Sequence, residues 1–304
     1  MPTLTDEAIC VRHWDFSETS QTVSLLTRGH GLLRGLAKGA KRERARFSGG
    51  IDLLARGRVI ALTKPGRELA TLTDWDLLEA HRHLRESLGA NSAGFYMAEL
   101  ACRLVAEGES RPRSYDAFAA GLRALADREL LDATLVRFQW TLLEEGGVRP
   151  TLDPDDGSMP PPATGSDVAD AEEGAPSVQQ GDERRESSAT SRERSPGSGG
   201  PSGVEGASPS TAERSPLVVI FAPHEGGVIA GPGRAAPRPA GASRRWRVRL
   251  ETIDVLRRLE REGVVAPASG PAVRRAGRLL AACLRELIGQ EPVTLRSVYG
   301  AIPT

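Results

Sequence analysis

A dense group of cationic side chains lies near the start of the 304-residue chain. Between residues 28 and 67 the sequence contains eleven Lys and Arg but only two acids, although the formal net charge of the whole chain is zero. Cations at this density can bind phosphate groups and release counterions, which gives a salt-sensitive affinity for nucleic acids that depends little on base sequence. The eleven residues are Arg28, Arg34, Lys38, Lys41, Arg42, Arg44, Arg46, Arg56, Arg58, Lys64 and Arg67.

The centre of this cluster is the segment from Gly35 to Gly50, which has no apolar periodicity and is predicted to be a loop. Phe47 lies beside Arg46 in this loop. Because single-strand binding surfaces usually combine cations with aromatic rings on which bases stack, Phe47 is the predicted stacking residue. The predicted DNA contacts are Arg34, Lys38, Lys41, Arg42, Arg44, Arg46, Phe47, Lys64 and Arg67.

A solvated, charged loop that binds nothing would have the same composition, and composition alone gives the two interpretations similar weight. The near absence of acids favours binding. Three further aromatic residues, Trp14, Phe16 and Trp75, lie in the same region. The two tryptophans are expected in the hydrophobic core, where such large rings are usually buried.

The elements that position these residues are short apolar runs separated by glycines and charged turns. Runs at spacings of about 8–12 residues are typical of a small barrel or sandwich. We predict an α+β protein in which residues 1–80 form an OB-fold β-barrel of five strands, an architecture that often binds oligonucleotides. The runs comprise residues 7–14, 22–27, 31–37, 51–54, 57–63 and 68–73.

A helical pattern replaces the strands from about residue 81. Apolar residues recur near a 3.6-residue period in residues 92–104, 115–125 and 130–143. Gly146 and Gly147 then provide a helix stop. Residues 81–152 are therefore predicted to form the first part of an α-helical C-terminal domain.

Residues 153–215 contain almost no large apolar side chain and are predicted to form a long disordered insert. An apolar strand at residues 217–221 follows, and then two amphipathic helices at residues 246–262 and 272–289. These helices supply the apolar partners that the first helices need. Residues 216–304 are therefore predicted to be the second part of the same helical domain.

Three ordered N-terminal segments carry a family resemblance. The first is Trp14-Asp-Phe-Ser-Glu-Thr-Ser20, at the end of the first predicted strand. The second is Val23 to Thr27. The third, Gly31-Leu-Leu-Arg-Gly-Leu-Ala-Lys-Gly-Ala-Lys41, is similar to the signature Gly-x-x-Arg-x-Val-Ala-Lys-Gly-Ala-Arg of the RecO recombination mediators. Similarity to this family continues in residues 96–100 and 135–138, and a fainter similarity follows in residues 221–229.

The RecO resemblance implies an N-terminal OB fold, a helical C-terminal domain and a role without catalysis. That role is to bind single-stranded DNA, promote recombinase loading on SSB-coated DNA and anneal strands, with SSB and RecR as partners. In this family the helical domain receives the acidic, aromatic-ended C-terminal tail of SSB. Arg137 on the third predicted helix is the residue we assign to that tail, and an ion pair with Glu144 or Asp132 is the alternative.

Many members of the family carry four cysteines as a zinc module between the third helix and the Gly-Gly strand. This chain has no cysteine there, and His224 is the nearest N-type ligand in the sequence. Zinc needs three or four nitrogen or sulfur ligands close together. We therefore predict no metal and no cofactor.

Sequence signatures of enzymes, secreted proteins and membrane proteins are also missing. We find no phosphate-binding loop, nucleophile elbow, dinucleotide fingerprint or His-Glu-x-x-His motif. The three cysteines are far apart, and neither a signal peptide nor a long apolar span is visible. We predict a cytoplasmic, nucleoid-associated protein without catalytic residues. The alternative function is an adaptor whose basic loop docks an acidic protein and never contacts DNA.

Overall fold

The computed structural model describes residues 2–42, 47, 50–64, 66–153, 217–234 and 244–301. Two predicted DNA contacts, Arg44 and Arg46, lie outside these residues, as does the predicted insert beyond residue 153. The described chain forms an N-terminal β-barrel, a set of helices and a small second sheet. The predicted α+β class is therefore confirmed. None of the described helices is long and apolar enough to cross a membrane.

Five strands close the barrel in the order β1-β2-β3-β5-β4. Neighbouring strands are antiparallel except β3 and β5, which are parallel. Because side chains alternate along a strand, Ala8, Cys10 and Val59 point into the barrel and form its core. The predicted five-stranded barrel is confirmed. Its strands are β1 (Thr3–Asp15), β2 (Gln21–Thr27), β3 (Gly31–Ala37), β4 (Arg56–Leu62) and β5 (Ala70–Glu79).

The strand predicted at residues 51–54 is wrong. Leu54 has a φ of +64°, a left-handed conformation that does not occur within a regular strand. Its N–H donates to the carbonyl of Cys10 at 2.8 Å, and the N–H of Cys10 donates to the carbonyl of Ala55 at 2.9 Å. The run is apolar because Ile51 and Leu54 are buried side chains of a turn that is tied to β1.

Three α-helices follow the barrel close to their predicted positions. The side chain of Ser87 caps the first by accepting a hydrogen bond from the N–H of Ala90. The second begins at Pro112, whose fixed φ suits the first turn of a helix. The third ends at Glu145, and Gly146 follows it as the predicted helix stop. The helices are α1 (Leu88–Leu104), α2 (Pro112–Ala124) and α3 (Leu131–Glu145).

The chain beyond residue 216 forms a three-stranded sheet and three more helices. The predicted helix at residues 246–262 begins too early, because Trp246–Arg249 pairs with the central strand of this sheet. The last helix is five residues long and was not predicted. The elements are β6 (Val218–Ala222), β7 (Gly227–Ala230), β8 (Trp246–Arg249), α4 (Leu250–Glu262), α5 (Pro271–Ile288) and α6 (Leu295–Tyr299), with sheet order β7-β6-β8.

Helices from both sides of residues 154–216 share one hydrophobic core. Helix α3 packs against α5, and α6 packs against α1. At the second contact Glu99 accepts hydrogen bonds from the N–H groups of Val293 and Thr294, both at 2.9 Å. The same core includes Ile9 and Leu26 on the outer face of the barrel. The barrel and the helices are therefore packed into one compact unit.

A short backbone pairing joins the end of the first helical part to the second sheet. The N–H of Thr151 donates to the carbonyl of Gly226 at 2.6 Å, and the N–H of Val228 donates to the carbonyl of Thr151 at 2.9 Å. Gly227 between them has a φ of +133°, and a Cβ there would lie 2.7 Å from the Thr151 nitrogen. The Gly-Gly pair therefore permits a close backbone approach.

Gly31 also permits a close backbone approach, at the place where the helical part meets the barrel. Its φ is +64°, and a Cβ would lie 2.6 Å from the carbonyl oxygen of Ala106 and closer still to that of Glu109. Leu32 donates its N–H to the same Ala106 carbonyl at 3.2 Å. The first glycine of the Gly-x-x-Arg segment is therefore needed for packing between barrel and helices.

We expect Gly31→Ala to destabilise the protein by several kcal/mol, because the methyl group must displace the backbone at residues 106–109. The matched control is Gly66→Ala, since Gly66 has a similar φ of +77° with open space around it. Strain alone should cost that control about 1–2 kcal/mol. Urea denaturation measures the free energy of unfolding of both variants. Equal losses of this free energy would contradict the assigned role of Gly31.

Candidate nucleic-acid interface

Three strand ends meet at one rim of the barrel. Asp15 at the end of β1 lies opposite Gln21 at the start of β2. Gln21 in turn lies opposite Ala37 at the end of β3. The β1–β2 turn at residues 16–20 and the start of the basic loop therefore leave the barrel side by side.

Hydrogen bonds and an ion pair hold this loop against the β1–β2 turn. The N–H of Lys41 donates to the carbonyl of Thr19 at 3.0 Å, and the N–H of Gly39 donates to Oγ of Ser20 at 3.0 Å. The Nζ of Lys41 lies 2.6 Å from Oδ1 of Asp15. This hydrogen bond lowers the pKa of the Asp15 carboxyl group.

Two further cations of this loop are exposed, Lys38 and Arg42. Among the described residues neither has a carboxylate within ion-pair distance, whereas Lys41 is paired and only 31% of its side chain is exposed. The structure therefore brings three of the predicted contacts together, and two of them have no acidic partner in the described chain.

Aromatic rings lie at the same place. Trp14 at the end of β1 is 43% exposed, and Phe16 in the following turn is 63% exposed. The expectation that Trp14 lies in the core is wrong. The guanidinium carbon of Arg12 is 5.0 Å from the centroid of the Trp14 ring, a cation–π arrangement that keeps positive charge beside an exposed ring. We call Trp14, Phe16, Lys38, Lys41 and Arg42 together the barrel rim.

The structure contradicts the prediction that Phe47 stacks on bases. Phe47 is 4% exposed and belongs to the barrel core, together with Ile51 and Ala55. Burial of this apolar ring removes it from water and stabilises the barrel core. Trp75 is 2% exposed, as predicted for a core residue.

The other predicted contacts lie along β3 and the β4–β5 turn. Arg34 is exposed on β3, with Oε1 of Glu107 3.7 Å from its Nε. Lys64 and Arg67 lie in the β4–β5 turn. Because β5 runs parallel to β3 and Ala70 lies opposite Gly35, this turn approaches β3 on the Arg34 side. The cations therefore follow β3 from the barrel rim toward the β4–β5 turn.

Carboxylates from the helices neutralise part of the positive charge of the barrel. Arg28 makes a bidentate ion pair with Asp116 of α2, with distances of 2.9 and 3.0 Å. This pairing lowers the pKa of the Asp116 carboxyl group. The local net charge of the sequence therefore overestimates what the folded barrel offers to a polyanion.

Arg56 is also engaged in hydrogen bonds and ion pairs within the fold. Its guanidinium lies 2.7 Å from Oε2 of Glu7 and 2.6 Å from Oε1 of Glu79, and its Nε donates to the Tyr115 hydroxyl at 3.3 Å. Burial opposes the charge of Arg56, but its hydrogen bonds and charged neighbours outweigh burial and raise its pKa. Arg123 of α2 binds Glu79 from the other side at 2.8 and 3.0 Å. The network joins β1, β4, β5 and α2.

Comparison with known proteins agrees with this architecture. The family model described as Recombination protein O N terminal matches residues 1–81, which contain the barrel. The model described as Recombination protein O C terminal matches residues 85–190. The chain belongs to the RecO family.

Several curated relatives carry the name DNA repair protein RecO. The one from Rhodopirellula baltica is 35% identical over 131 residues, which cover 43% of this chain and 48% of the relative. The one from Salinibacter ruber is 32% identical over 151 residues, which cover 48% of this chain and 57% of the relative. The chain thus spans about half the length of the curated relatives it matches.

Arg137 is exposed on α3 of this RecO-family chain. The alternative ion pairs predicted for it are absent from the described structure, because Glu144 contacts Arg113 and Arg149 instead. Asp132 contacts Arg274. The neighbours Val136 and Phe138 are core residues, 0% and 1% exposed, so they do not form an apolar groove beside Arg137. The assignment of Arg137 to a partner tail therefore stays a prediction.

Each histidine of the described chain has a hydrogen-bond partner, and the thiols are buried at Cys10 and Cys283 and half-buried at Cys102. Nδ1 of His81 lies 2.9 Å from the carbonyl of Leu54, and Nε2 of His83 lies 2.8 Å from the carbonyl of Leu122. Burial raises the pKa of the Cys10 and Cys283 thiols to about 12 and that of Cys102 to about 11. Such thiols are protonated at neutral pH and react poorly as nucleophiles. Within the described ranges, no three His, Cys, Asp or Glu side chains are grouped as metal ligands.

The hydrogen bond from Arg123 lowers the pKa of Glu79, so this carboxylate stabilises the fold above its ordinary pKa of about 4.3 and loses that contribution as the pH falls. We expect Glu79→Gln to cost about 1–2 kcal/mol at pH 7, because two arginines lose their charged partner. The loss should shrink below about pH 4, where Glu79 itself becomes protonated.

Urea denaturation of both proteins between pH 7 and pH 3 measures this difference. Glu18→Gln is the control, because Glu18 is exposed in the β1–β2 turn and has no ion pair in the described chain. That variant should match the parent protein at every pH. A pH-independent loss in Glu79→Gln would contradict the role assigned to its charge.

Proposed function

We propose that this RecO-family chain is a DNA-repair mediator that binds single-stranded DNA at the barrel rim. The observation that carries the proposal is the exposure of two aromatic rings, Trp14 and Phe16, beside cations at one end of the barrel. Rings and cations side by side are what single-stranded nucleic acids need, since the bases stack while the phosphates are neutralised. Arg34, Lys64 and Arg67 would extend the contact along β3.

We also propose the finer role that follows from the family. The chain would promote loading of a recombinase on SSB-coated DNA and would anneal strands, with the SSB tail and RecR as protein partners and without catalysis. Support comes from the two family matches and from the names of the curated relatives. Support for a role without catalysis comes from the raised pKa of the three thiols and from the hydrogen bonds that engage the histidines.

The test of the cations is Lys38→Ala/Lys41→Ala/Arg42→Ala in the full chain. Affinity for a fluorescent oligo-dT should fall about tenfold or more near 0.1 M salt, because three phosphate contacts are removed. The slope of log affinity against log salt should flatten by about 1.4–2, since each single-strand phosphate contributes about 0.7 and Lys41 must exchange Asp15 for a phosphate. Fluorescence anisotropy across a salt series measures both quantities.

The control is Arg28→Ala/Arg85→Ala/Arg113→Ala, which removes the same charge from arginines that face Asp116, Asp52 and Glu144. This control should keep most of its affinity and its salt slope. If both triple variants lose the same affinity, binding follows net charge alone and the barrel rim is not the site. If the oligonucleotide does not bind the parent protein even at low salt, the adaptor function replaces DNA binding.

The aromatic residues have a separate test. Trp14→Ala and Phe16→Ala should each weaken oligo-dT binding by about 1–3 kcal/mol while leaving the salt slope unchanged, because stacking involves no counterion release. Trp14→Phe should restore much of the affinity. Phe47→Ala should instead lower the free energy of unfolding by about 3–5 kcal/mol, because it opens a cavity in the barrel core. Unchanged affinity in both rim variants would exclude stacking there.

A further inference from the structure

The cations near β3 differ in their acidic partners between the two ends of the strand. At the hairpin end, Arg28 is held by Asp116 and Arg34 faces Glu107, and both carboxylates come from chain that follows the barrel. At the rim, two of the three cations have no carboxylate within ion-pair distance in the described chain. The positive charge available to a ligand therefore decreases along β3, from the rim toward the helices.

The helices cover the outer face of β3 only as far as Leu32. Leu33 packs against the barrel core, whereas Leu32 packs against the core that the helices share. Because side chains alternate along a strand, Arg34 lies on the same outer face as Leu32, about 7 Å away. Arg34 is exposed, so the covered part of β3 ends between these two residues.

Glu107 is fixed at this border by its backbone. It forms β-bridges with Gly31 and Leu32, and Leu32 donates its N–H to the carbonyl of Ala106 at 3.2 Å. From this position Oε1 of Glu107 lies 3.7 Å from Nε of Arg34. The folded chain therefore supplies its own anion to Arg34, at the place where a phosphate would have to bind.

Arg34 also lies close to the exposed ring of the rim. Trp14 of β1 lies opposite Thr22, and Thr22 lies opposite Leu36 of β3, so the three side chains form one row across the barrel. Arg34 is two residues before Leu36 and is therefore about 7 Å behind this row. A strand whose base stacks on Trp14 and that continues over this face meets Arg34 next.

The ion pair between Arg34 and Glu107 is weak enough to be exchanged. The two side chains are 44% and 52% exposed, and water screens charges at such exposure. A phosphate can replace Glu107 at Arg34, but the displaced carboxylate then remains beside a group of the same charge. Arg34 therefore adds little affinity for a polyanion while Glu107 is present.

We propose that Glu107 sets the end of the single-strand track, the outer-face path from the barrel rim to Arg34, by competing with phosphate for that arginine. This inference rests on the function proposed for the rim and concerns how many nucleotides the site holds. A short strand occupies the rim alone and does not contact Arg34. A longer strand reaches Arg34 but gains little, because its phosphate must displace an acid of the protein.

The test uses the full chain and fluorescent oligo-dT of about 4 to 16 nucleotides, the usual range of site sizes for one OB fold. Glu107→Gln should leave the affinity for the shortest strands unchanged and raise that for the longest about twofold to fivefold. The salt slope for the longest strands should steepen by about 0.7, because one more phosphate is neutralised. Fluorescence anisotropy across a salt series measures both quantities, and thermal melting verifies that each variant is folded.

Glu109→Gln is the matched control, because it removes the same charge from the same loop but its carboxylate faces Arg111. This control should bind strands of every length like the parent protein. Arg34→Ala in the Glu107→Gln background should abolish the gain, whereas Arg34→Ala alone should have a smaller effect. That difference measures the coupling between the two side chains.

Three results would overturn the role of Glu107: an unchanged affinity of Glu107→Gln for the longest strands, an equal gain in Glu109→Gln, or an equal gain at every strand length. The first would leave the ion pair as a contact that only holds the loop, and the other two would indicate an effect of net charge. Failure of the rim is a separate outcome. It follows if Lys38→Ala/Lys41→Ala/Arg42→Ala keeps its affinity for the shortest strands, whereas loss in that variant without a gain in Glu107→Gln overturns the role of Glu107 alone.

Discussion

The guanidinium of Arg56 lies between two carboxylates and a tyrosine hydroxyl, and each of these groups comes from a different element. Glu7 belongs to β1, Glu79 to β5 and Tyr115 to α2. Removal of any one partner would leave a charge only partly exposed and poorly compensated, which is costly. The network therefore specifies how α2 lies on the barrel, and at a second point Gly31 permits the close approach of residues 106–109.

The sequence predicted most of the fold because two kinds of pattern are visible in it. Short apolar runs separated by turn residues revealed the barrel strands, and the 3.6-residue period revealed α1, α2, α3 and α5. It failed where an apolar run had another cause. Residues 51–54 are apolar because a turn covers the core, and Trp246–Arg249 was joined to a helix because a four-residue strand is too short to show its own period.

The candidate site was only partly predictable, because charge and burial are properties of the folded chain. Local counting could not reveal that Asp116 pairs with Arg28 from 88 residues away. Nor could it separate Phe47, which is buried in the barrel core, from Trp14 and Phe16, which are exposed at the rim.

The pairing of Thr151 with Gly226 and Val228 has a consequence for chain length. It holds the two ends of residues 154–216 at one sheet, so the entropy of closing this connection is offset by contacts that do not depend on its length. The entropic cost of closing a chain segment rises slowly with its length, by about 0.6 kcal/mol for each doubling. Insertions and deletions between these anchors can therefore accumulate with little effect on the fold, which makes this position a tolerant one for grafting a reporter or another domain.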